Sequence, residues 1–519
     1  MKQPIVHLIG AGPGDPSLIT VRGLECLRYA DVVIYDHLVS PRLLKHAKHT
    51  AELIDVGTAA PQPMAQEAIN YLLVEKAREG KHVARLKWGD PFVFDRGGEE
   101  ALFLNEQQIP YEVVPGIPAG IGVPAYAGVP VSYPNGGDTI TLVRGFEDQS
   151  RTPPKVDWAS LVRLDGTIVC YAGRQQLPLI LESLIANGWP EDAQAVVVYN
   201  GTLPAQQTLD GTLAELLAAT REPRGREAAI LIVGRVAGLR EHVRWYDARP
   251  LFGLRVLVTR AREQATELAD LLTNLGADPV IAPMIKVLPP EDRGPLLEAA
   301  AAAGQFDWIV FTSANAVDAL MQALVETGGD VRSLKGPLLC AVGSATADQL
   351  ARYGIKVDLV PSEYRAEALV AALAARGSLN AVRVLLPRAD IGREVVADNL
   401  RKGGATVTEV IAYRTVLDES QSDDGPDVYR MLLDGELQVV TFTSASAVKN
   451  FVQIYGADQA ADLLSRTCVA TIGPVTTEAA ERLGIKVTVQ ASPYTVPALV
   501  DAIARHMTAV KAAVTTAGA

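Results

Sequence analysis

Cysteine is scarce in this chain of 519 residues, which contains only four. Cys26, Cys170, Cys340 and Cys468 lie far apart and form no C-x-x-C pair, so we expect neither a disulfide framework nor a cysteine zinc site, and a reducing cytoplasm fits. No apolar run approaches the roughly 18 residues that span a bilayer. The N-terminus shows no charged-then-apolar leader, so we predict neither a membrane protein nor a secreted one.

Positive charge is also in deficit, because 48 Lys and Arg face 60 Asp and Glu, a formal net charge of −12. This balance argues against nucleic acid as a partner but leaves room for a local basic pocket that binds an anionic small molecule. Histidine is rare, and no nearby carboxylate or cysteine completes a metal site around His46 and His49, so we predict no metal. The G-x-S-x-G, H-E-x-x-H and Walker motifs are absent from the sequence.

The first 245 residues alternate strand-like and helix-like segments, which predicts an α/β fold with a largely parallel sheet. "PNGGD" at 134–138 separates two such series, and "HVRWYDARPLFG" at 242–253 has the character of a linker. After the first apolar strand comes "GAGPGD", Gly10–Asp15, in which Asp15 stands where a dinucleotide-binding fingerprint needs its third glycine. The loop is therefore either a structural turn or the rim of a different ligand site.

Carboxylates follow two of these apolar strands, at the edge where α/β sheets bind ligands. Asp36 ends "DVVIYD", where it can act as a base or ligand anchor or merely cap a helix. Asp90 lies in the defined turn "WGDPF", a stronger indication of a site.

The second half contains a diverged internal repeat. "FTSANAV" at 311–317 returns as "FTSASAV" at 442–448, and "RVLVTRA" at 255–261 returns as "RVLLPRA" at 383–389. The repeat predicts two similar α/β lobes with a cleft between them. Ser313, Thr443 and Ser444 follow strands in this pattern, where a hydroxyl serves either as a helix N-cap or as a substrate contact.

These motifs carry a resemblance to two enzyme families. "VHLIGAGPGDPSL", "RLKWGDPFVFDRGGEE" and "VPGIPAG" resemble uroporphyrinogen-III C-methyltransferase, a tetrapyrrole methylase, over about residues 1–245. Residues 253–508, with "FTSASAV" and "IGPVTTEAA", are similar to uroporphyrinogen-III synthase. The resemblance implies a two-unit methylase fold followed by a two-lobed synthase fold. The implied divisions are methylase subunits at about 1–133 and 134–245, a linker at 246–252, lobe one at about 253–285 plus 418–508, lobe two at about 288–412, and a flexible tail at 509–519.

The resemblance also implies a bifunctional enzyme. Its second half would cyclise hydroxymethylbilane to uroporphyrinogen III, and its first half would methylate that product to precorrin-2 with S-adenosylmethionine. It implies a homodimer formed through the methylase domain, and a product that feeds cobalamin, sirohaem or haem. Two alternatives stay open, a synthase fused to a degenerate methylase and a non-catalytic two-lobed protein that binds a small molecule.

Residue by residue, the resemblance implies the following roles. The proposed proton acceptor of the methylase matches Asp36, and a family tyrosine of the synthase matches Tyr413. The cofactor contacts match Pro13, Trp88, Gly89, Asp90, Val93, Pro118, Ala119, Ala172 and Gly201. The substrate-binding candidates are Arg260, Ser313, Gly343, Arg388, Thr443, Ser444, Gly473 and Thr477.

The chain also departs from the methylase pattern. Thr58 and Ala59 replace a lysine and an arginine, Trp88 replaces a glycine, and Ala172 replaces a methionine. Two of the lost side chains are cationic, so the resemblance implies methyl transfer that is present but weakened.

Overall fold

The protein is described here from a computed structural model, in which two compact units divide the chain, Met1–Gly253 and Leu254–Ala519. Among the described residues, no helix combines the length and the apolarity that crossing a bilayer requires. The structure describes residues 5–57, 64–145, 156–221, 228–361, 366–390, 395–417 and 426–517.

The first unit begins with a five-stranded parallel sheet in the order β3-β2-β4-β1-β5. Its strands are short apolar runs buried on both faces by helices, as parallel sheets require: Val6 and Leu8 of β1 pack on one face, and Ile9 packs on the other. The elements are β1 Val6–Gly10, a 3-10 helix Pro16–Leu18, α1 Val21–Tyr29, β2 Val32–Tyr35, α2 Pro41–Leu44, β3 Glu52–Asp55, α3 Gln66–Arg78, β4 Val83–Lys87, α4 Gly97–Glu106, β5 Tyr111–Val114 and α5 Ala119–Tyr126.

A second sheet completes this unit, in the order β6-β7-β10-β8-β9. Only β6 and β7 are parallel, so the expectation of a largely parallel sheet is wrong here. One reason is the short connection from β8 to β9, where Asn200 and Thr202 adopt positive φ values of 48° and 68° and the chain reverses. The elements are β6 Ile140–Arg144, α6 Trp158–Arg163, β7 Thr167–Gly173, α7 Leu177–Ala186, β8 Gln194–Tyr199, β9 Gln207–Thr212, α8 Leu213–Thr220, β10 Ala228–Val233, a 3-10 helix Arg235–Leu239 and α9 Arg240–Val243.

The stretch interpreted from sequence as a linker packs onto the first unit. Tyr246 and Leu251 are buried, and the buried Arg240 donates hydrogen bonds to the Ala127 carbonyl and to Asp247. Residues 246–252 therefore belong to the packed structure of this unit.

The second unit contains two sheets built from interleaved segments. The first, β12-β11-β18-β19-β20, is parallel and combines strands from both ends of the unit. The second, β13-β17-β16-β14-β15, is parallel except that β13 runs antiparallel to β17. The strands are β11 Arg255–Val258, β12 Asp278–Ile281, β13 Ile285–Leu288, β14 Trp308–Phe311, β15 Leu338–Ala341, β16 Arg383–Ala389, β17 Thr406–Leu417, β18 Val439–Phe442, β19 Cys468–Thr471 and β20 Val489–Gln490.

Helices pack beside both sheets. The last helix begins at Val496 and continues to Ala517, so residues 509–517 of the expected tail are helical. The helices are α10 Arg262–Asn274, α11 Gly294–Ala301, α12 Ala314–Glu326, α13 Ser344–Arg352, α14 Ala366–Ala374, α15 Val395–Lys402, α16 Val428–Leu433, α17 Ala445–Tyr455, α18 Ala457–Leu464, α19 Pro474–Arg482 and α20 Val496–Ala517, with 3-10 helices Ala303–Gln305 and Val331–Leu334.

Candidate functional site

Three strand-end loops of the first unit meet through glycines. Gly12 and Gly89 exchange backbone hydrogen bonds of 3.1 and 2.8 Å. A Cβ atom on Gly116 would lie 2.2 Å from the carbonyl oxygen of Gly89, and one on Gly10 would lie 2.4 Å from the Gly116 nitrogen. No side chain fits at Gly10 or Gly116, so glycine is required at these two positions for the backbones to approach.

The carboxylate of Asp90 joins two of the same loops. One oxygen accepts a hydrogen bond from the backbone N–H of Phe92 at 2.8 Å, and the other accepts from Gly116 at 3.0 Å. Asp90 therefore fixes the shape of this edge of the sheet.

Trp88 spans the space between the β4 and β1 loops. Its indole N–H donates to the carbonyl oxygen of Pro13 at 3.0 Å. The rings of Trp88 and the side chain of Val93 pack against an apolar cluster that includes Ala119, the first residue of α5. Pro118 is the N-cap of that helix. The structure therefore brings together five of the expected cofactor contacts, namely Pro13, Trp88, Val93, Pro118 and Ala119.

The loop after β8 joins the same site. Thr202 Oγ1 accepts a hydrogen bond from the backbone N–H of Asp15 at 2.9 Å, and a Cβ atom on Gly201 would clash with Val123 of α5 at 2.5 Å. Sequence reasoning missed Thr202, whose positive φ has no sequence signature because threonine rarely adopts it.

Ala172 does not share this apolar cluster. Its side chain packs on the opposite face of the second sheet, towards α7. Its neighbour Tyr171, which sequence reasoning also missed, faces the site: the hydroxyl accepts from the N–H of Gly120 at 2.7 Å, and the ring meets Phe94 edge-on at 5.0 Å. Only the backbone of Ala172 remains available as a ligand contact, because β-strand side chains alternate between faces.

Asp36 lies against a cluster of buried charges. Arg85 Nη2 lies 2.6 Å from Asp36 Oδ1, and Lys87 Nζ lies 4.0 Å from Asp36 Oδ2. Both cations contact the same oxygen of Glu100, at 3.1 and 3.0 Å, and Lys87 also lies 3.1 Å from Asp95. Arg85 and Lys87 are each 1% exposed and Glu100 is fully buried, whereas 27% of the Asp36 side chain is exposed.

Burial and charge oppose each other in this cluster. Burial alone would raise the pKa of Glu100, but the Arg85 and Lys87 charges and a hydrogen bond from Gln66 hold that pKa below its ordinary value. The pKa of Asp95 is raised, chiefly by burial and only partly offset by Lys87. The cluster is thus a fixed charge array with Asp36 as its partly exposed outer member. The expected departures at Thr58 and Ala59 lie outside the described residues.

In the second unit, Tyr413 of β17 meets Ser313 at the end of β14. Their hydroxyl oxygens lie 3.0 Å apart, and Ser313 Oγ also accepts from the N–H of Ala316 as the N-cap of α12. Burial raises the pKa of Tyr413 above its ordinary value, against the effect of hydrogen bonds from Ser313 and Asn315. Tyr413 therefore remains protonated and can donate a hydrogen bond at neutral pH.

Gln264 joins the two sheets of this unit. It lies on α10 beside the first sheet, and its amide donates a hydrogen bond to Asn315 of α12 beside the second. Arg260 reaches the same place by donating to Gln264 Oε1 at 3.1 Å, and burial lowers the pKa of Arg260. Sequence reasoning missed both amides, although Asn315 is the one residue that differs between "FTSANAV" and "FTSASAV".

The other expected substrate contacts are placed differently. Ser444 caps α17 through a bond from Ala447 at 3.1 Å, whereas Thr477 Oγ1 contacts Thr471 at 2.6 Å and Gln490 at 2.7 Å. Arg388 pairs with Glu409 at 2.8 Å. Thr443 follows β18 and is half-buried, and Gly343 and Gly473 are the N-caps of α13 and α19.

Three potential metal ligands lie together in the first unit. Ligand atoms of His7, Cys26 and Glu112 fall within 4.8 Å of one another. Arg22, however, donates to both carboxylate oxygens of Glu112, at 2.9 and 2.8 Å. The guanidinium already supplies the positive charge at this group.

The glycine-lined edge of the first unit and the paired sheets of the second define a two-part α/β protein with a candidate site in each part. The model of the tetrapyrrole (corrin/porphyrin) methylases matches residues 6–217, and that of uroporphyrinogen-III synthase HemD matches residues 266–501. The porphyrin biosynthesis protein HemD of Ruminiclostridium josui is 36% identical over 96% of this chain and 98% of its own length. The chain belongs to this family of fused methylase and synthase proteins, which confirms the expected resemblance, fold class and enzyme class.

Two further similarities concern the methylase half. The uroporphyrinogen-III C-methyltransferase of Bacillus subtilis is 36% identical over 67% of this chain and 71% of its own length. A Thermus thermophilus uroporphyrin-III C-methyltransferase, solved as a crystal structure complexed with S-adenosylhomocysteine, shares 33% sequence identity with this chain. It matches 45% of this chain and 99% of its own, with a TM-score of 0.39.

Proposed function

We propose that the second unit cyclises hydroxymethylbilane to uroporphyrinogen III and that the first unit methylates this product to precorrin-2. The observation that carries the proposal for the first unit is the convergence of four strand-end loops beside a partly exposed Asp36. For the second unit it is the pair Ser313 and Tyr413, which places two hydroxyl groups 3.0 Å apart next to the contact between the sheets.

The first unit fits S-adenosylmethionine as the methyl donor. A Cβ atom on Gly89 would have only the Ala119 nitrogen within 4 Å, at 3.7 Å, so the backbone there is open to a ligand. At the start of α5, the N–H groups of Gly120, Ile121 and Gly122 already have acceptors within the described residues. The N–H of Ala119 is the donor of this first turn that suits a ligand carboxylate. When bound, the cofactor supplies an electrophilic methyl group on a sulfonium. We assign its contacts to Pro13, Trp88, Gly89, Val93, Pro118, Ala119, Gly201 and the backbone of Ala172, with Asp90 holding the loops.

Asp36 supplies a fixed carboxylate at the rim of this site. Methylation of a pyrrole carbon leaves positive charge on the ring and a proton to be removed. Arg85 bonds one oxygen of Asp36 from the buried side, whereas Lys87 lies 4.0 Å from the other oxygen. The second oxygen is therefore available to the substrate as a hydrogen-bond or proton acceptor.

In the second unit, Tyr413 donates its proton towards the departing hydroxyl of the linear substrate. Arg260, Ser313, Gly343, Thr443, Ser444 and Gly473 hold substrate carboxylates through side chains and helix N-termini. We also propose Arg388 and Thr477 as substrate contacts. For this, Arg388 must exchange its contact with Glu409, and Thr477 its contact with Gln490, for contacts with the substrate. We also propose a homodimer formed through the first unit, and the four free cysteines fit the reducing compartment proposed for the chain.

A single incubation tests both activities. The full chain is supplied with hydroxymethylbilane and S-adenosylmethionine together, and the products are identified by mass and isomer type. We expect precorrin-2 to form. If the spontaneous type I isomer is the sole product, the synthase proposal is wrong. If uroporphyrinogen III forms and stays unmethylated, the methylase proposal is wrong.

A second candidate is a synthase whose methylase unit no longer methylates. The bond between the Trp88 indole and the Pro13 carbonyl favours it, because a large ring lies across loops that would otherwise face the donor. Calorimetry with millimolar S-adenosylmethionine separates the two candidates: absence of binding supports the degenerate unit.

A further inference from the structure

An aromatic clasp closes the end of the first unit. It consists of Tyr126 at the end of α5 and of Trp245, Tyr246 and Phe252 from the segment after α9. The Tyr126 ring lies 5.0 Å from that of Trp245 and 4.7 Å from that of Tyr246, and the rings of Tyr246 and Phe252 lie 5.3 Å apart. The Arg249 guanidinium covers the Trp245 and Tyr246 rings at 4.8 and 4.9 Å. Such contacts hold the segment against α5.

Two hydroxyl groups of the clasp point away from it, each to a different loop. Tyr126 donates to Asp15 Oδ2 at 2.8 Å, in the loop after β1. Tyr246 donates to the carbonyl oxygen of Thr202 at 3.0 Å, in the loop after β8. Burial and the Asp15 carboxylate raise the pKa of Tyr126, so its proton stays on the hydroxyl and the bond persists across neutral pH.

The two loops are also joined to each other. Thr202 Oγ1 accepts from the Asp15 N–H at 2.9 Å, and a Cβ atom on Gly14 would lie 2.8 Å from that same oxygen. The contacts form a closed ring, referred to below as the circuit, that runs through Asp15, Thr202, Tyr246 and Tyr126. In it, the two tyrosines connect both loops to α5 and to the segment after α9.

From this circuit we infer that Tyr126 and Tyr246 are positioning residues for the methyl-donor site, acting through the loops at 12–15 and 200–202. The inference rests on the proposed function of the first unit, which assigns Pro13 and Gly201 to the donor site. The tyrosines need not touch the donor. They fix the two loops that flank it, so that the free protein already holds the binding conformation.

Full-length Tyr126→Phe, Tyr246→Phe and the double variant test the inference, because phenylalanine keeps each ring and removes only the hydroxyl. Tyr29→Phe is the matched control, since Tyr29 is 73% exposed on the same unit. S-adenosylhomocysteine is titrated by calorimetry. We expect each single variant to bind about three- to tenfold more weakly, as loss of one hydrogen bond predicts, and the control to bind like the wild type.

Steady-state methylation separates positioning from a general loss of stability. A positioning role raises KM for the methyl donor and leaves kcat nearly unchanged in the single variants, with cyclisation by the second unit unaffected. Tyr246→Leu, which removes the ring as well, should weaken both binding and resistance to unfolding.

The outcomes are distinct. If the wild type binds the probe and both phenylalanine variants bind it equally well, the inference is wrong and the clasp only stabilises the unit. If the wild type does not bind the probe at all, the proposed methyl-donor site fails and this inference fails with it.

Discussion

Arg85 bonds Asp36 from the buried side: a guanidinium nitrogen of Arg85 lies 2.6 Å from a carboxylate oxygen of Asp36, and the cation is buried whereas the anion is partly exposed. The pair fixes the direction in which the carboxylate faces the rim of the site. Arg85 is itself held by Glu100, so the position of Asp36 depends on a side chain from α4, two contacts away.

Replacement of Asp36 by asparagine should reduce methylation by at least about a hundredfold, the lower end of what a positioned acid or base contributes. Asparagine keeps the shape of the side chain but removes its charge and its capacity to take a proton. Transfer of a radiolabelled methyl group to uroporphyrinogen III measures the effect. Asp138→Asn is the control, because Asp138 is exposed on the same unit. A rate within twofold of the wild type would assign Asp36 to structure alone.

Neutralisation of Glu100 should destabilise the first unit much more than neutralisation of Asp95, because the pKa values of the two carboxyl groups are shifted in opposite directions. The lowered pKa of Glu100 means that its contribution to stability is present above its ordinary value of 4.5 and is lost as the pH falls through the folded-state pKa. Glu100→Gln should therefore destabilise the first unit at neutral pH by about 3–5 kcal/mol, because it leaves two buried cations short of an anion. It should also flatten the acid limb of the stability profile.

Asp95→Asn should destabilise the unit by no more than about 1 kcal/mol at neutral pH, since an amide oxygen still accepts from Lys87. The pKa of Asp95 is raised, so the stability linked to its protonation is present at low pH and is lost as the pH rises through the folded-state pKa. Hydrogen exchange in peptides covering β4 and α4 measures both variants between pH 3 and pH 7. Equal losses in the two variants would contradict this assignment of charges.

Trp88→Gly should weaken S-adenosylhomocysteine binding by roughly five- to tenfold, equivalent to about 1 kcal/mol. The change removes both the apolar wall formed by the indole and its hydrogen bond to Pro13. Trp88→Phe keeps an aromatic wall and should lose less. Tighter binding by the glycine variant would show instead that the indole fills the site, and would favour the degenerate methylase.

Tyr413→Phe should slow cyclisation by about tenfold or less, or roughly 1.4 kcal/mol, because the reaction depends mainly on folding the chain of the substrate. Since the pKa of Tyr413 is raised above its ordinary value of 10.0, the wild-type rate should show no loss from ionisation of this tyrosine below pH 10. Formation of the type III isomer measures the rate, and Ser313→Ala tests the hydroxyl partner. Unchanged turnover in Tyr413→Phe would leave that residue a structural role only.

The sequence predicted the fold class, and it pointed to the edge of the sheet at which the candidate site is proposed, because both depend on local patterns. Apolar runs followed by glycine or aspartate mark strand ends, and the copies at 311–317 and 442–448 imply two similar sheets. The antiparallel arrangement of the second sheet was not predictable in this way. It depends on which strands pair. The reversal from β8 to β9 did have a local signal, the Asn200-Gly201 dipeptide that is typical of tight turns, and sequence reasoning overlooked it.

The charge cluster had a signal that was overlooked. In "VARLK", Arg85 and Lys87 lie two residues apart and so project from one face of β4, which normally indicates a face towards solvent. A strand between two neighbours in a parallel sheet is buried on both faces, however, so two cations there require buried anions. The partner, Glu100, comes from a helix whose position the local pattern does not specify.

The interleaving of the second unit has a consequence for synthesis on the ribosome. β11 pairs with β18, yet roughly 160 residues separate β12 from β18 in the chain, and the whole second sheet lies between them. At about 5–20 residues per second, the first two strands wait roughly 8–30 seconds for their partner. The inserted sheet can fold in this interval, whereas the apolar edge of β11 stays open until β18 has been synthesised. This edge is where a nascent chain of this design is most exposed to misassociation and most dependent on chaperones.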